Sequence, residues 1–272
     1  MLANDFDTGF FVDDDTLPTK QNFFGMHMAN LDFSGHIDSV SSSTRWVNVL
    51  FQNFDRHKLY PRGFPYGCIE ETVTVGKTFV NNVVISQGLW IKIPDLDALR
   101  ILAQGSLNGR SCIETLESDF GENFVVNRDN YLTVCSMNLA FKKEIIPAFY
   151  QLPMDDNKWK LGRFDDIWSG IIIKKICDRL NNTIINCNPL CMHNKAPRST
   201  FKDLLAECQA LEVNEYLWKI LDSIKMESSE YGSMYREIAT SIERGKWNFA
   251  NADFLNFMGK LMKKWVDATD KL

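Results

Sequence analysis

A short apolar, β-favouring run, Thr8 to Val12 (TGFFV), stops abruptly at three consecutive aspartates, Asp13, Asp14 and Asp15. Nothing else in the chain constrains its fold as much. A buried strand that ends in an acidic loop places carboxylates at a strand's C-terminal end, and in open α/β sheets that edge is where ligands bind. Hard divalent cations take oxygen ligands, and magnesium or manganese is usually held by one or two carboxylates together with substrate phosphates. Alternation along extended backbone sends Asp13 and Asp15 to one side and Asp14 to the other. Asp13 and Asp15 are therefore candidate metal ligands, Asp15 first; the alternative is a solvated turn.

The rest of the chain alternates strand and helix signals. Gln21 to Leu31 is compatible with a helix, and Trp46 to Phe51 with a strand or short helix. Tyr60 to Gly67 (YPRGFPYG) is a shaped loop, interrupted by two prolines and two glycines. Phe79 to Ser86 reads as a strand leading to Gly88, Leu89 and Trp90, and IPDLD as a turn into a helix. Tyr131 to Phe141 reads as strand and turn, and Lys142 to Tyr150 has helical spacing. Asp165 and Asp166 sit at the start of a strong helix running to Leu180. Thr183 to Asn186 is a last short strand, ending in a loop with His193 and Lys195. Beyond Pro197 four helical segments follow: Phe201–Leu211, Val213–Ile224, Tyr231–Arg244 and Phe254–Trp265. The pattern predicts a mixed α/β domain over 1–196 and a helical region over 197–272 that caps the domain or drives oligomerisation.

With 45% hydrophobic residues among 272, the chain can bury a real core. A net charge of −5 and a pI near 5.5 argue against a nucleic-acid binder, which needs a basic face. No apolar run reaches the roughly 18–20 residues of a membrane helix, and the acidic N-terminal stretch is unlike a secretory signal. Seven scattered cysteines, an odd number, read as reduced thiols. A cytoplasmic protein is the expectation. Cys187, Cys191 and His193 lack a second CxxC-type pair to complete a tetrahedral zinc site.

Other candidates each have a plain alternative. His193 either joins carboxylates around a divalent cation or is an ordinary hydrogen-bonded loop histidine. Asp165 and Asp166 either cap a helix or include a carboxylate that binds sugar hydroxyls or acts as general base. Arg163 can pair with either of them or with a phosphate. Arg62 is held near a phosphate, stacked on Tyr60 or Phe64, or simply exposed. Gly88 and Trp90 either floor a sugar site or lie in the core.

Taken in order, VDDD, RGFPY, SQGLWIKIPDLDA, CSMNLAF, GRFDDIWSG with its following KKICDRL, and HNKA resemble the reversibly glycosylated polypeptide family, from about Phe10 to Ala196. The resemblance implies a GT-A-type nucleotide-diphospho-sugar transferase fold, a DxD-like site for manganese or magnesium, and a UDP-sugar ligand. It implies metal and diphosphate roles for Asp13, Asp14 and Asp15, and a place near the metal for His193. It sets Asp165 and Asp166 by the sugar, and makes Arg62 the arginine that becomes reversibly glycosylated. Arg163, Gly88, Trp90 and Lys195 are further candidates for binding the nucleotide sugar. Two departures stand out. Family members with mutase activity carry a second arginine seven positions after the first, where this chain has Ile69. The family also places a nucleotide-binding βα half before the DDD strand, where this chain has about nine residues. The sequence thus predicts a metal-dependent UDP-sugar transferase or mutase, or else a fragment or a non-catalytic relative that partners a homologous subunit.

Overall fold

The computed structural model describes residues 6–53, 56–69, 71–154 and 157–271. Its regular elements are β1 (Thr8–Val12), β2 (Thr16–Pro18), α1 (Phe23–Leu31), β3 (Gly35–Ser42), β4 (Trp46–Val47), β5 (Val73–Val80), β6 (Val83–Lys92), α2 (Ala98–Ala103), β7 (Phe124–Val126), β8 (Tyr131–Leu132), β9 (Asn138–Lys142), α3 (Asp165–Leu180), β10 (Thr183–His193), α4 (Thr200–Ser223), α5 (Tyr231–Arg244) and α6 (Asp253–Thr269). Eight strands form one mixed sheet in the order β1-β9-β6-β10-β7-β3-β5, with β2 paired to β10; β4 and β8 form a separate pair.

The central strand β6 is buried over most of its length because helices cover both sides of the sheet. On one side α1 packs against β6, β9 and β10; on the other, α3 joins a larger core that also takes in residues of α4, α5 and α6. Gly88 lies in the middle of β6, where a Cβ would come within 2.1 Å of the Pro189 carbonyl oxygen. Only glycine lets β10 approach so closely.

β9 is antiparallel to both β1 and β6, and β10 is parallel to β6. The C-terminal ends of β1, β6 and β10 therefore share one edge of the sheet, the edge at which α/β sheets bind ligands.

Several sequence expectations are corrected. Phe79 to Ser86 is not one strand: Asn81 and Asn82 separate β5, at the edge of the sheet, from β6, near its middle. β10 does not stop at Asn186 but runs on to His193. Asn188-Pro189 looks like a terminator in sequence, yet a register shift between Cys187 and Cys191 accommodates it as an irregularity. His193 is thus a strand residue rather than a loop residue. Lys143–Ala148, which contains Pro147, is a 3-10 segment, and Phe201–Leu211 with Val213–Ile224 makes the single helix α4, since no glycine or proline interrupts it. No helix among the described residues is long and apolar enough to cross a membrane.

A buried polar chain ties α1 to the sheet. Asn30 Nδ2 donates to Ser86 Oγ (2.9 Å), which in turn contacts His27 Nδ1 (2.9 Å). His27 Nε2 meets Asn138 Oδ1 (2.9 Å), and Asn138 Nδ2 donates to the Pro189 carbonyl (2.9 Å). Donors and acceptors run in one direction only if His27 is neutral, and burial does push its pKa below the ordinary 6.5. The unfolded chain then binds the extra proton, so the stability His27 contributes is present above about pH 6.5 and is progressively lost as pH falls below it. Asp13 and Glu71, raised to about 6 and about 7, pull the other way. The measurement is urea unfolding from pH 7.5 to 5.5, in which His27→Gln should lose less stability on acidification than the parent chain. Parallel pH profiles would rule out this role for His27.

Candidate functional site

The acidic triplet is held by sheet pairing on both sides. β1 ends at Val12 on β9, and β2 resumes at Thr16, whose register partner on β10 is His193. Between them Asp13, Asp14 and Asp15 form a turn, closed by the Thr16 amide donating to the Asp13 carbonyl (3.2 Å). The turn replaces the extended alternation expected from the sequence. Because Thr16 pairs with His193 and the Asn194 amide donates to the Asp15 carbonyl (2.7 Å), Asp15 Oδ2 comes to 3.4 Å from His193 Nε2. The other ring nitrogen, Nδ1, lies 2.7 Å from the Ile93 carbonyl, to which it donates. That bond puts a proton on Nδ1 and turns Nε2 toward a carboxylate, the orientation a metal-binding histidine needs.

These groups open on a polar cleft of about 360 Å³, lined by all three aspartates of the turn together with Arg62, Asp95, Arg163, Asp165, Asp166, His193, Lys195 and Arg198. The structure thus brings together every candidate named from the sequence except two. Gly88 and Trp90, expected at the floor of a sugar site, lie in β6 within the core and do not line the cleft. Their place in the middle of a buried strand is the reason.

Arg62 is the hub. Gly63, at φ +87°, makes the turn after it, where a Cβ would collide with Ile167 of α3. The Arg62 amide donates to the Asp95 carbonyl (2.8 Å) and its Nε to Asp95 Oδ2 (3.0 Å). Its two terminal nitrogens donate as a fork to Asp166 (3.1 and 3.2 Å), and one also to the Arg163 carbonyl. Burial alone would raise the Asp95 pKa, but Arg62 and then Lys195 outweigh it and hold the carboxyl at about 2. Asp13 behaves oppositely: burial first, then Asp166, Asp95 and Asp15, raise it to about 6. Asp165 is also raised, by burial and then by Asp166, and makes no ion pair among the described residues.

Helix α4 supports the site from behind. Glu207 accepts from the Ala98 amide and from Arg163 Nε, both at 2.7 Å, and Asp203 accepts from Arg198 Nε at 2.7 Å. Arg163 itself stands at φ +62°, a conformation costly for a residue with a side chain. Sequence reading missed Asp95, Glu207 and Asp203: Asp95 passed as part of a turn, and single acidic residues along a helix carry no signal.

Lys195 is 4% exposed, and its ammonium has no hydrogen-bond acceptor among the described residues. Burial pushes its pKa down while Asp95 pushes it up. A buried, unpaired ammonium at a cleft costs free energy that an anionic ligand removes.

An α/β sheet with carboxylates, a histidine and unpaired cationic charge gathered over its strand ends suits proteins that handle phosphate-bearing small molecules. The sequence model of the family "reversibly glycosylated polypeptide" matches residues 8–272, and the chain belongs to that family. It is 26% identical to UDP-arabinopyranose mutase 2 of Arabidopsis thaliana over 273 residues, covering 97% of this chain and 68% of that protein. UDP-arabinopyranose mutase 1 of the same plant is also 26% identical, with 97% and 69% covered. A probable UDP-arabinopyranose mutase 2 of Solanum tuberosum is 25% identical, with 97% and 67% covered.

Proposed function

We propose that the cleft binds a UDP-sugar with a divalent cation, manganese or magnesium, and works on its anomeric bond as a UDP-sugar mutase or transferase in a GT-A-like fold. The observation that carries this reading is Lys195, a buried ammonium without a partner beside a carboxylate-histidine pair. Among the described residues no three of His, Cys, Asp and Glu are arranged to hold an ion by themselves. Asp15 and His193 nevertheless suit a cation whose remaining positions are filled by diphosphate oxygens and water. Six carboxylates, Asp13, Asp14, Asp15, Asp95, Asp165 and Asp166, line the cleft with four basic side chains, Arg62, Arg163, Lys195 and Arg198, so acidic groups outnumber basic ones where the cation would sit.

A bound cation would offset the negative charge that develops on the diphosphate as it leaves. Lys195, with Arg198 beside it, neutralises diphosphate oxygens and excludes water from them. Asp166 is committed to Arg62, so Asp165 is the carboxylate available to the sugar, where it takes a hydroxyl proton or steadies positive charge at the anomeric carbon. In a mutase the anomeric C–O bond breaks, its electron pair leaves with the diphosphate, and the bond is then remade. In a transferase the sugar passes to an acceptor, with Arg62 a candidate once the Asp166 arm of its clamp opens: a terminal guanidinium nitrogen forms the C–N bond as the anomeric C–O bond to UDP breaks, and its proton passes to Asp166. Labelled UDP-arabinopyranose that leaves covalent label lost in Arg62→Lys would select the second course.

Calorimetric titration of UDP with manganese tests the binding reading; no binding would sink it. Lys195→Met sharpens the test. Removing an unpaired buried charge should raise the melting temperature, while UDP affinity falls by about 10- to 100-fold for loss of a charged hydrogen bond. Unchanged affinity would remove Lys195 from the site.

A further inference from the structure

The cationic and metal-ligating groups of the cleft account for a diphosphate, but they leave one polar group with no role. Gln151 lines the same cleft. Its amide nitrogen is buried and has no hydrogen-bond partner. It comes from the segment between the 3-10 turn Lys143–Ala148 and α3, which is anchored by the buried neighbours Phe149 and Leu152. Free amide groups are rarely buried without cause, because an unmade hydrogen bond of this kind costs about 1–3 kcal/mol.

Gln151 is neutral, so it adds nothing to phosphate or cation binding that Lys195 and Asp15 do not supply better. Its natural complement is an uncharged group that both donates and accepts. Asp165, an acceptor without an ion pair, lines the same space, as does Ser136. An amide donor and a carboxylate acceptor together satisfy the adjacent hydroxyls of a sugar ring, each hydroxyl accepting from one group and donating to another.

Resting on the sugar-nucleotide reading above, we propose that Gln151 is the specificity residue of this site, which with Asp165 reads neighbouring hydroxyls of the sugar ring and so separates a UDP-sugar from UDP. A site built to hydrogen-bond a hydroxyl rejects a ligand that lacks it, because its own buried groups then go unpaired.

The test is calorimetry with manganese, using UDP and UDP-arabinopyranose on the parent chain, Gln151→Ala and Gln151→Glu. The expected result is UDP affinity within twofold of the parent in Gln151→Ala, with UDP-arabinopyranose weakened about tenfold, as for a lost hydrogen bond that leaves a polar group unpaired. Gln151→Glu preserves the shape of the side chain but turns its donor into a second carboxylate, and should weaken the sugar nucleotide at least as much. Equal loss for both ligands would make Gln151 a diphosphate or structural residue and overturn the proposal, as would no loss for UDP-arabinopyranose. If the parent chain binds UDP and both variants bind the two ligands as the parent does, only the role of Gln151 fails. If the parent chain binds neither ligand, the sugar-nucleotide reading fails with it.

Discussion

Asp15→Ala should abolish manganese-dependent UDP binding, with a loss of at least about 100-fold. Mutation of a group that merely orients a metal ligand already costs 10- to 100-fold in affinity, and Asp15 is proposed as a ligand itself. The substitution removes one of two side chains placed to meet the ion but leaves the turn closed, since the bonds that shape it do not use the Asp15 side chain: the Thr16 amide and hydroxyl donate to the Asp13 carbonyl, and the Asn194 amide to the Asp15 carbonyl. Stability should therefore change little while binding collapses. UDP affinity measured with and without manganese distinguishes this from general damage. If the variant binds UDP as the parent does, or loses binding equally without metal, Asp15 is no ligand.

The second large effect is on the fold. Arg62→Ala leaves Asp95, whose side chain is only 6% exposed, without its principal partner. Breaking a buried ion pair from one side costs about 3–5 kcal/mol. At about 2–4 °C per kcal/mol for a chain approaching this size, the melting temperature should fall by roughly 6–20 °C. Arg62→Met combined with Asp95→Asn and Asp166→Asn should recover much of the loss, because neither carboxylate that Arg62 held is then left buried with an unpaired charge. The dependence on pH has a definite sign. Asp95 titrates near 2 in the fold against about 3.8 when unperturbed, so its contribution is present above about pH 4 and is lost as pH falls toward 2. The parent and Arg62→Ala should converge in stability across that window. A drop below about 1 kcal/mol at neutral pH would show that Asp95 finds another partner, contrary to the geometry.

Strong local signals made parts of this molecule readable from sequence. β1 appears where TGFFV ended, and α3 begins at the Asp165-Asp166 pair and ends near Asn181, whose φ of +61° is a common helix stop. β3 and β7 carried no comparable signal: GHIDSVSS is too polar, and FVV too short, to stand out. For the site, the cleft gathers Asp13, Asp14, Asp15, Arg62, Arg163, Asp165, Asp166, His193 and Lys195, all of them charged or titratable residues that sequence could single out. What it could not supply was pairing. That Asp166 is tied to Arg62 while Asp165 is not, or that Glu207 braces Arg163, depends on contacts between residues 104 and 44 positions apart in the chain. Ile69, seven positions after Arg62, is used for packing: its carbonyl accepts from the Tyr60 hydroxyl and its side chain packs against the core.

Glu207 reaches back to Arg163 and to the start of α2, and this sets the order in which the cleft is completed. The cleft draws on the turn at Asp13, Asp14 and Asp15, a strand that ends at His193, and a brace from α4. A chain emerging from the ribosome therefore cannot possess the complete site until more than two hundred residues have been synthesised, however early the first strands pair. A ligand that recognises only the finished cleft would favour fully folded molecules over partly made ones, so the metabolite itself would act as a late check on folding.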